Sequence, residues 1–110
     1  MLTPVTFNPT FYRGSPISEE FRFVDKDDVA VNMAAYGPFK WQIRATSSSK
    51  VLLELTLDES NLATGVLRGT ATVAQTLLLP VRVLRHDLLD AAGQKWFKGT
   101  PVIEANTTKI

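Results

Sequence analysis

The sequence predicts an all-β domain, an antiparallel β-sandwich of about seven short strands. Three observations predict it. Apolar residues alternate with polar ones in runs of four to eight, as in strands with one buried and one wet face. Turn residues punctuate those runs at short intervals, which favours a sandwich over a barrel. Only the stretch Thr72-Leu79 offers a pattern that fits a helical turn.

The organising stretch is 21–44. Phe39, Trp41 and Ile43 alternate with Lys40, Gln42 and Arg44, and Phe21 and Phe23 flank Arg22 in the same way. Trp41 therefore reads as core. Between these runs, Asp25-Lys26-Asp27-Asp28 supplies carboxylates that bond their own backbone two residues on, which favours a turn. Met33 to Pro38 reads as a tight corner, because Gly37-Pro38 disfavours helix.

The remaining elements follow in order. Val5 and Phe7 lie between Pro4 and Pro9, which remove backbone donors, so the first strand is an edge or a partly paired one. Gly14-Ser15-Pro16 is a turn, and Ile17 to Val24 is a strand in which Glu19 shares the parity of Phe21 and Phe23. Val29 to Val31 is expected as a short strand. Ser47-Ser48-Ser49 is a polar turn, after which Val51, Leu53, Leu55 and Leu57 alternate with Leu52, Glu54, Thr56 and Asp58 in the clearest amphipathic strand of the chain. Gly65 to Ala71 reads as a strand interrupted at Gly69. In Thr72 to Leu79, Val73, Leu77 and Leu78 fit one helical turn, with Thr72 or Thr76 as cap and Pro80 limiting its length. Val81 to Leu89 reads as a strand with Val81 and Val83 inward and a bulge near Arg85. Asp90 to Gly93 closes a hairpin in which Gly93 takes the positive φ. The last strand runs from Trp96 to Ala105, with an unpaired position at Pro101.

One domain spanning 1–110 accounts for the length, with flexible ends near 1–4 and 106–110. Twelve Lys and Arg against eleven Asp and Glu give a net charge of +1, and the basic residues are scattered. That balance carries no footprint for nucleic acid. With no cysteine, disulfides and thiolate metal sites are excluded. The start lacks the basic and apolar regions of a signal peptide. No apolar run reaches the ~20 residues that span a bilayer, so no membrane partner is expected.

The sequence offers no catalytic constellation. His86 is the only histidine and reads as structural. No serine has a nucleophile-elbow context. The Asp25 to Asp28 cluster lacks the glycine and the downstream glutamate of a calcium loop and reads as a plain turn. No catalytic residue, cofactor, metal or small-molecule substrate is therefore expected. The best interface candidate is the Trp96-Phe97 pair, one ring of which points away from the core if the strand is regular, beside Lys95 and Lys98.

The order of features resembles small immunoglobulin-like domains of tailed-bacteriophage virions, similar to the N-terminal modules of baseplate and tail-fibre proteins. The residues that carry the resemblance are Tyr12-Arg13-Gly14, Phe21 to Asp28, Val31-Asn32-Met33, Tyr36-Gly37, Trp41 to Arg44, Gly65-Val66-Leu67, Thr76 to Pro80, Ala92-Gly93 and Gly99-Thr100. Ser15 stands where the family has an acidic residue, and Asp28 where it has a turn glycine. The resemblance implies a non-enzymatic virion component, made in the host cytoplasm, that docks on other virion proteins and on copies of itself. It implies an adaptor or attachment module of tail, baseplate, neck or fibre. The alternatives are a capsid decoration protein and a free-standing sugar- or peptide-binding module. Docking is expected through the chain ends, including Asn106 and Ile110, together with the exposed ring of Trp96-Phe97.

Overall fold

A computed structural model describes residues 5–46 and 49–105. The strands are β1 (Val5–Thr6), β2 (Thr10–Arg13), β3 (Ile17–Arg22), β4 (Lys40–Arg44), β5 (Val51–Glu54), β6 (Thr56–Asp58), β7 (Val66–Ala71), β8 (Arg85–Leu89), β9 (Lys95–Gly99) and β10 (Val102–Ala105). One helical turn, α1 (Val73–Thr76), and two 3₁₀ turns, Ala34–Tyr36 and Leu62–Thr64, complete the described elements. None of these helices is long and apolar enough to cross a membrane.

The strands form a five-stranded sheet in the order β1-β9-β8-β4-β5, a three-stranded sheet in the order β3-β7-β6, and a two-stranded ribbon, β10-β2. The ribbon continues the β1–β9 pair past a bend at Asn8-Pro9 on one strand and Thr100-Pro101 on the other. Both pairs, β1 with β9 and β2 with β10, are parallel. The expected all-antiparallel sandwich is therefore corrected at the chain's first and last strands. The two prolines sit where the ladder bends, and there the Asn8 Oδ1 accepts from the Thr100 N–H at 2.9 Å.

Taken in chain order, β3, β7 and β6 occupy the positions of strands B, E and D of an immunoglobulin sandwich. Strands β9, β8, β4 and β5 occupy those of G, F, C and C′. This strand order makes the fold an immunoglobulin-like β-sandwich. Its strand-C tryptophan is Trp41, which is fully buried. Antibody domains pack that tryptophan on a B–F disulfide. In this cysteine-free chain Phe21 from β3 meets the ring edge-on at 5.3 Å, and His86 from β8 accepts its Nε1–H at Nδ1, 3.1 Å away.

Several local expectations are met for the reasons given by sequence. Asp25 Oδ1 accepts from the N–H groups of Asp27 and Val29 at 2.8 and 3.0 Å. Asp28 itself adopts a φ of 60° in place of the turn glycine. Thr72 caps α1 in a reciprocal box with Gln75, and Gly93 takes a φ of 81°. The Met33 to Pro38 corner is a 3₁₀ turn followed by a cis Gly37-Pro38 bond. Ser47 and Ser48 lie outside the described residues, and Ser49 closes its turn on Thr46.

Other expectations are corrected. Val29 to Val31 is not a strand but a single bridge, Val24 to Ala30. The amphipathic run Val51 to Leu57 is two strands in different sheets: β5 pairs with β4, and β6 pairs with β7. The chain crosses between sheets at buried Leu55, whose N–H donates to the Trp41 carbonyl at 2.9 Å. Gly69 interrupts nothing, since β7 runs through it in unbroken register with both neighbours. Val81 and Val83 are both 54% exposed, and the inward residues of that region are Leu84, His86 and Leu88. The bulge expected near Arg85 lies instead on β9 at Trp96, between the pairs Leu88–Phe97 and Leu89–Lys95.

His86 is the structural residue the sequence suggested. With Nδ1 accepting from Trp41, the ring proton sits on Nε2, which donates to the Phe7 carbonyl at 2.7 Å. Burial lowers its pKa, outweighing the upward pull of the Phe7 carbonyl and Asp87. The folded ring therefore resists protonation where the unfolded one accepts it. Stability from this group is present above the unfolded value of about 6.5 and is lost as pH falls toward the lowered folded value. Denaturant melts between about pH 7 and about pH 5 should show wild type losing stability relative to His86→Gln. A constant difference across that range would mean that the ring titrates alike in both states.

Candidate docking groove

The two sheets diverge where β1 and β3, the edge strands of their respective sheets, lie across from each other. Between them is a recess of about 560 Å³. Its walls are Phe7 from the β1 side, Phe21 and Phe23 from the β3 side, and Val31, Tyr36 and Trp96 at one end. The rings are mutually fixed. Phe7 meets Phe21 edge-on at 5.6 Å, and Trp96 meets Phe23 and Tyr36 edge-on at 5.5 and 5.2 Å. Val5, Val24 and Tyr36 on the rim are 67%, 48% and 42% exposed.

Trp96 reaches this recess because of the bulge. In a regular strand adjacent residues face opposite ways, so one ring of Trp96-Phe97 would face solvent. The extra residue on β9 resets the alternation, and both rings turn inward. Phe97 is buried, while Trp96 is partly buried and packs against the core. The expected solvent-facing ring of this pair is thus corrected. Asp90 anchors the tryptophan: its Oδ2 accepts from Trp96 Nε1 at 3.0 Å, while Oδ1 accepts from the N–H groups of Ala92 and Gln94, both at 2.9 Å. Burial pushes the Asp90 carboxyl upward, but these bonds outweigh it and hold the pKa below the usual carboxylate value.

The other sequence candidates separate from the groove. Lys95 and Lys98 line a second recess of about 440 Å³, with Arg44 and Arg85 and with Asp87 among them. Lys95 Nζ lies 3.6 Å from Asp87 Oδ2. Asn106 and Ile110, the proposed terminal contacts, fall outside the described residues. Sequence reasoning found Trp96 but missed its companions Phe7, Tyr36 and Glu19 as parts of one surface. The parity of Glu19 with Phe21 and Phe23 was the available signal.

Glu19 is the polar residue of the groove wall. It projects on the inward side of β3 and is partly exposed. Among the described residues its carboxylate has no hydrogen-bond or ion-pair partner. Its neighbour Glu20 differs, projecting outward to Arg68 at 2.9 Å and Arg22 at 3.3 Å. Hydrogen bonds from Arg68 and then Arg22 hold the Glu20 carboxyl below its usual pKa.

No protein-family model matches the chain, and no curated protein matches it. Among solved structures, it is similar to a chain of the crystal structure of ICOS in complex with ICOS-L and an anti ICOS-L VNAR domain. The TM-score is 0.48 at 6% identity, over 94% of this chain and 56% of that one. The chain thus spans little more than half the length of that neighbour.

Proposed function

We propose that this domain is a non-enzymatic docking module, and that it serves as a structural component of a tailed-bacteriophage virion, an adaptor or attachment module of the tail, baseplate, neck or fibre. The observation that carries the docking part is the open side of the sandwich. There an aromatic recess with exposed Val5, Val24 and Tyr36 at its rim lies between two edge strands. Exposed edges and contiguous apolar rims on small domains are surfaces that partners cover. The virion part is supported by the sequence resemblance to immunoglobulin-like virion domains, which runs from Tyr12 to Thr100. In this setting the domain meets other virion proteins or further copies of itself, and needs neither cofactor nor substrate.

A second reading, a free-standing peptide-binding module, is favoured by the aromatic lining of the recess, whose volume falls within the range of ordinary ligand sites. Mass spectrometry of density-purified particles separates the two. A virion component is recovered with the particles at a fixed ratio to the major tail or capsid proteins. Its recovery only from the unassembled pool would overturn the virion assignment and favour the free-standing binder. Particles stripped of their tails that still retain it would place it on the capsid as a decoration protein.

A further inference from the structure

The first strand's choice of partner leaves a place open. In the constant-type immunoglobulin sandwich strand A pairs with strand B. In this chain β1 and β2 pair instead with β9 and β10. Among the described residues the strand-B equivalent, β3, is therefore paired on one side only, with β7.

The groups presented by that bare edge follow from the register. Phe23 N–H donates to the Gly65 carbonyl at 2.7 Å, continuing the ladder in which Ile17 faces Ala71. In an antiparallel pair, hydrogen-bonding residues alternate with those that point away. Residues 17, 19, 21 and 23 thus turn their backbone toward β7, and Ser18, Glu20 and Arg22 turn theirs to the open side. Among the described residues no backbone partner meets them there.

We propose that the open edge of β3 is a strand-addition site for an extended segment of a partner protein, apolar at alternate positions and carrying one Lys or Arg opposite Glu19. The backbone of Ser18, Glu20 and Arg22 supplies the ladder, as in other sheet-edge recognition. The inward side chains of the added strand lie over Phe21 and Phe23 and cover the recess. The charge pattern selects the partner. Glu20 is already neutralised by Arg22 and Arg68, whereas Glu19, on the groove side, meets no cation among the described residues. A second copy of this chain pairing antiparallel through the same edge in the registers centred on Glu19 or Glu20 would set that residue opposite its own counterpart, and like charges across a ladder oppose pairing.

This inference rests on the docking reading and names its partner chemistry. Particle mass spectrometry tests where the domain resides, and the edge is tested separately, so either can fail alone. The probe is a synthetic peptide, Val-Thr-Val-Ser-Lys-Thr-Val-Ser, whose antiparallel register sets its Lys opposite Glu19 and its first two Val opposite Phe23 and Phe21, added to the full chain and followed by amide hydrogen exchange. Binding should protect the amides of Ser18, Glu20 and Arg22. The same peptide N-methylated at its Thr and Ser residues should protect none. Replacing its Lys by Glu should weaken binding roughly fivefold or more, the scale of an opposite-charge pair across a ladder, and Glu19→Gln should abolish that difference. Equal binding of the methylated peptide would overturn strand addition. Indifference to the Lys-to-Glu change would overturn the role of Glu19. Protection of the same amides without peptide, rising with protein concentration, would assign the edge to a second copy and overturn the partner segment.

Discussion

Trp41→Ala should destabilise the domain by about 3 to 5 kcal/mol, a large share of the 5 to 15 kcal/mol typical of whole domains. The ring is fully buried, and around it lie Phe21 at 5.3 Å, Phe97 at 5.7 Å, Phe11 at 6.1 Å and Phe7 at 6.4 Å. These come from both sheets and the ribbon, so the cavity left by alanine would open at their junction. The substitution also removes the donor to His86 Nδ1, leaving a buried acceptor unpaired at a further cost of about 1 to 3 kcal/mol in its own right. The conservative Trp41→Phe keeps one aromatic ring while losing the N–H and the rest of the indole, so its loss should fall between those of wild type and the alanine variant. Urea melts read both variants. A loss below about 1 kcal/mol for the alanine variant would contradict the burial of this ring.

The second large effect is expected at Gly69, whose backbone in one sheet lies against the Trp41 indole of the other. A Cβ there would stand 2.5 and 2.6 Å from the six-membered ring of Trp41 and 3.2 Å from Leu57. The clash is with a fully buried indole, which has no open space to swing into. Gly69→Ala should therefore cost about 1 to 3 kcal/mol, the usual range for overpacking a core, despite the gain in strand propensity that alanine brings. Shrinking the indole should relieve the clash. In the double variant Gly69→Ala with Trp41→Phe, the loss should be smaller than the sum of the single losses, by about 0.5 kcal/mol or more. Simple additivity in a denaturant melt would show that the new methyl is accommodated elsewhere.

The pair also shows why part of the fold was legible and part was not. That Trp41 is buried could be read from its own strand, because Phe39, Trp41 and Ile43 share one face of a period-two run. That Gly69 exists to receive it could not, since nothing near Gly69 in sequence mentions the indole. From β7 alone the glycine reads as an interruption. The same holds for His86, whose burial is unremarkable in β8 until the Trp41 Nε1–H and the Phe7 carbonyl are placed at its two nitrogens.

By itself the sequence determined the class of fold and the local devices that shape it. Alternation assigned the buried faces of β3, β4 and β5. The Asp25 turn, the Thr72 cap and the Gly93 turn each act within a few residues, where side-chain and backbone chemistry suffice to select a conformation. The tertiary structure decided everything that depends on which strand lies beside which. A period-two pattern names a face but not a neighbour, so it reads Val51 to Leu57 as one strand although the chain changes sheets at Leu55. It also places one ring of Trp96-Phe97 in solvent, because the bulge that turns both inward is a shift of register between β8 and β9 that neither strand carries alone. The open edge of β3 arises in the same way. Pro4 and Pro9 mark the first strand as weakly paired, but its parallel pairing with β9 and β10 is won by contacts nearly the whole chain apart, and among the described residues that choice leaves one edge of β3 without a neighbour beside an aromatic recess.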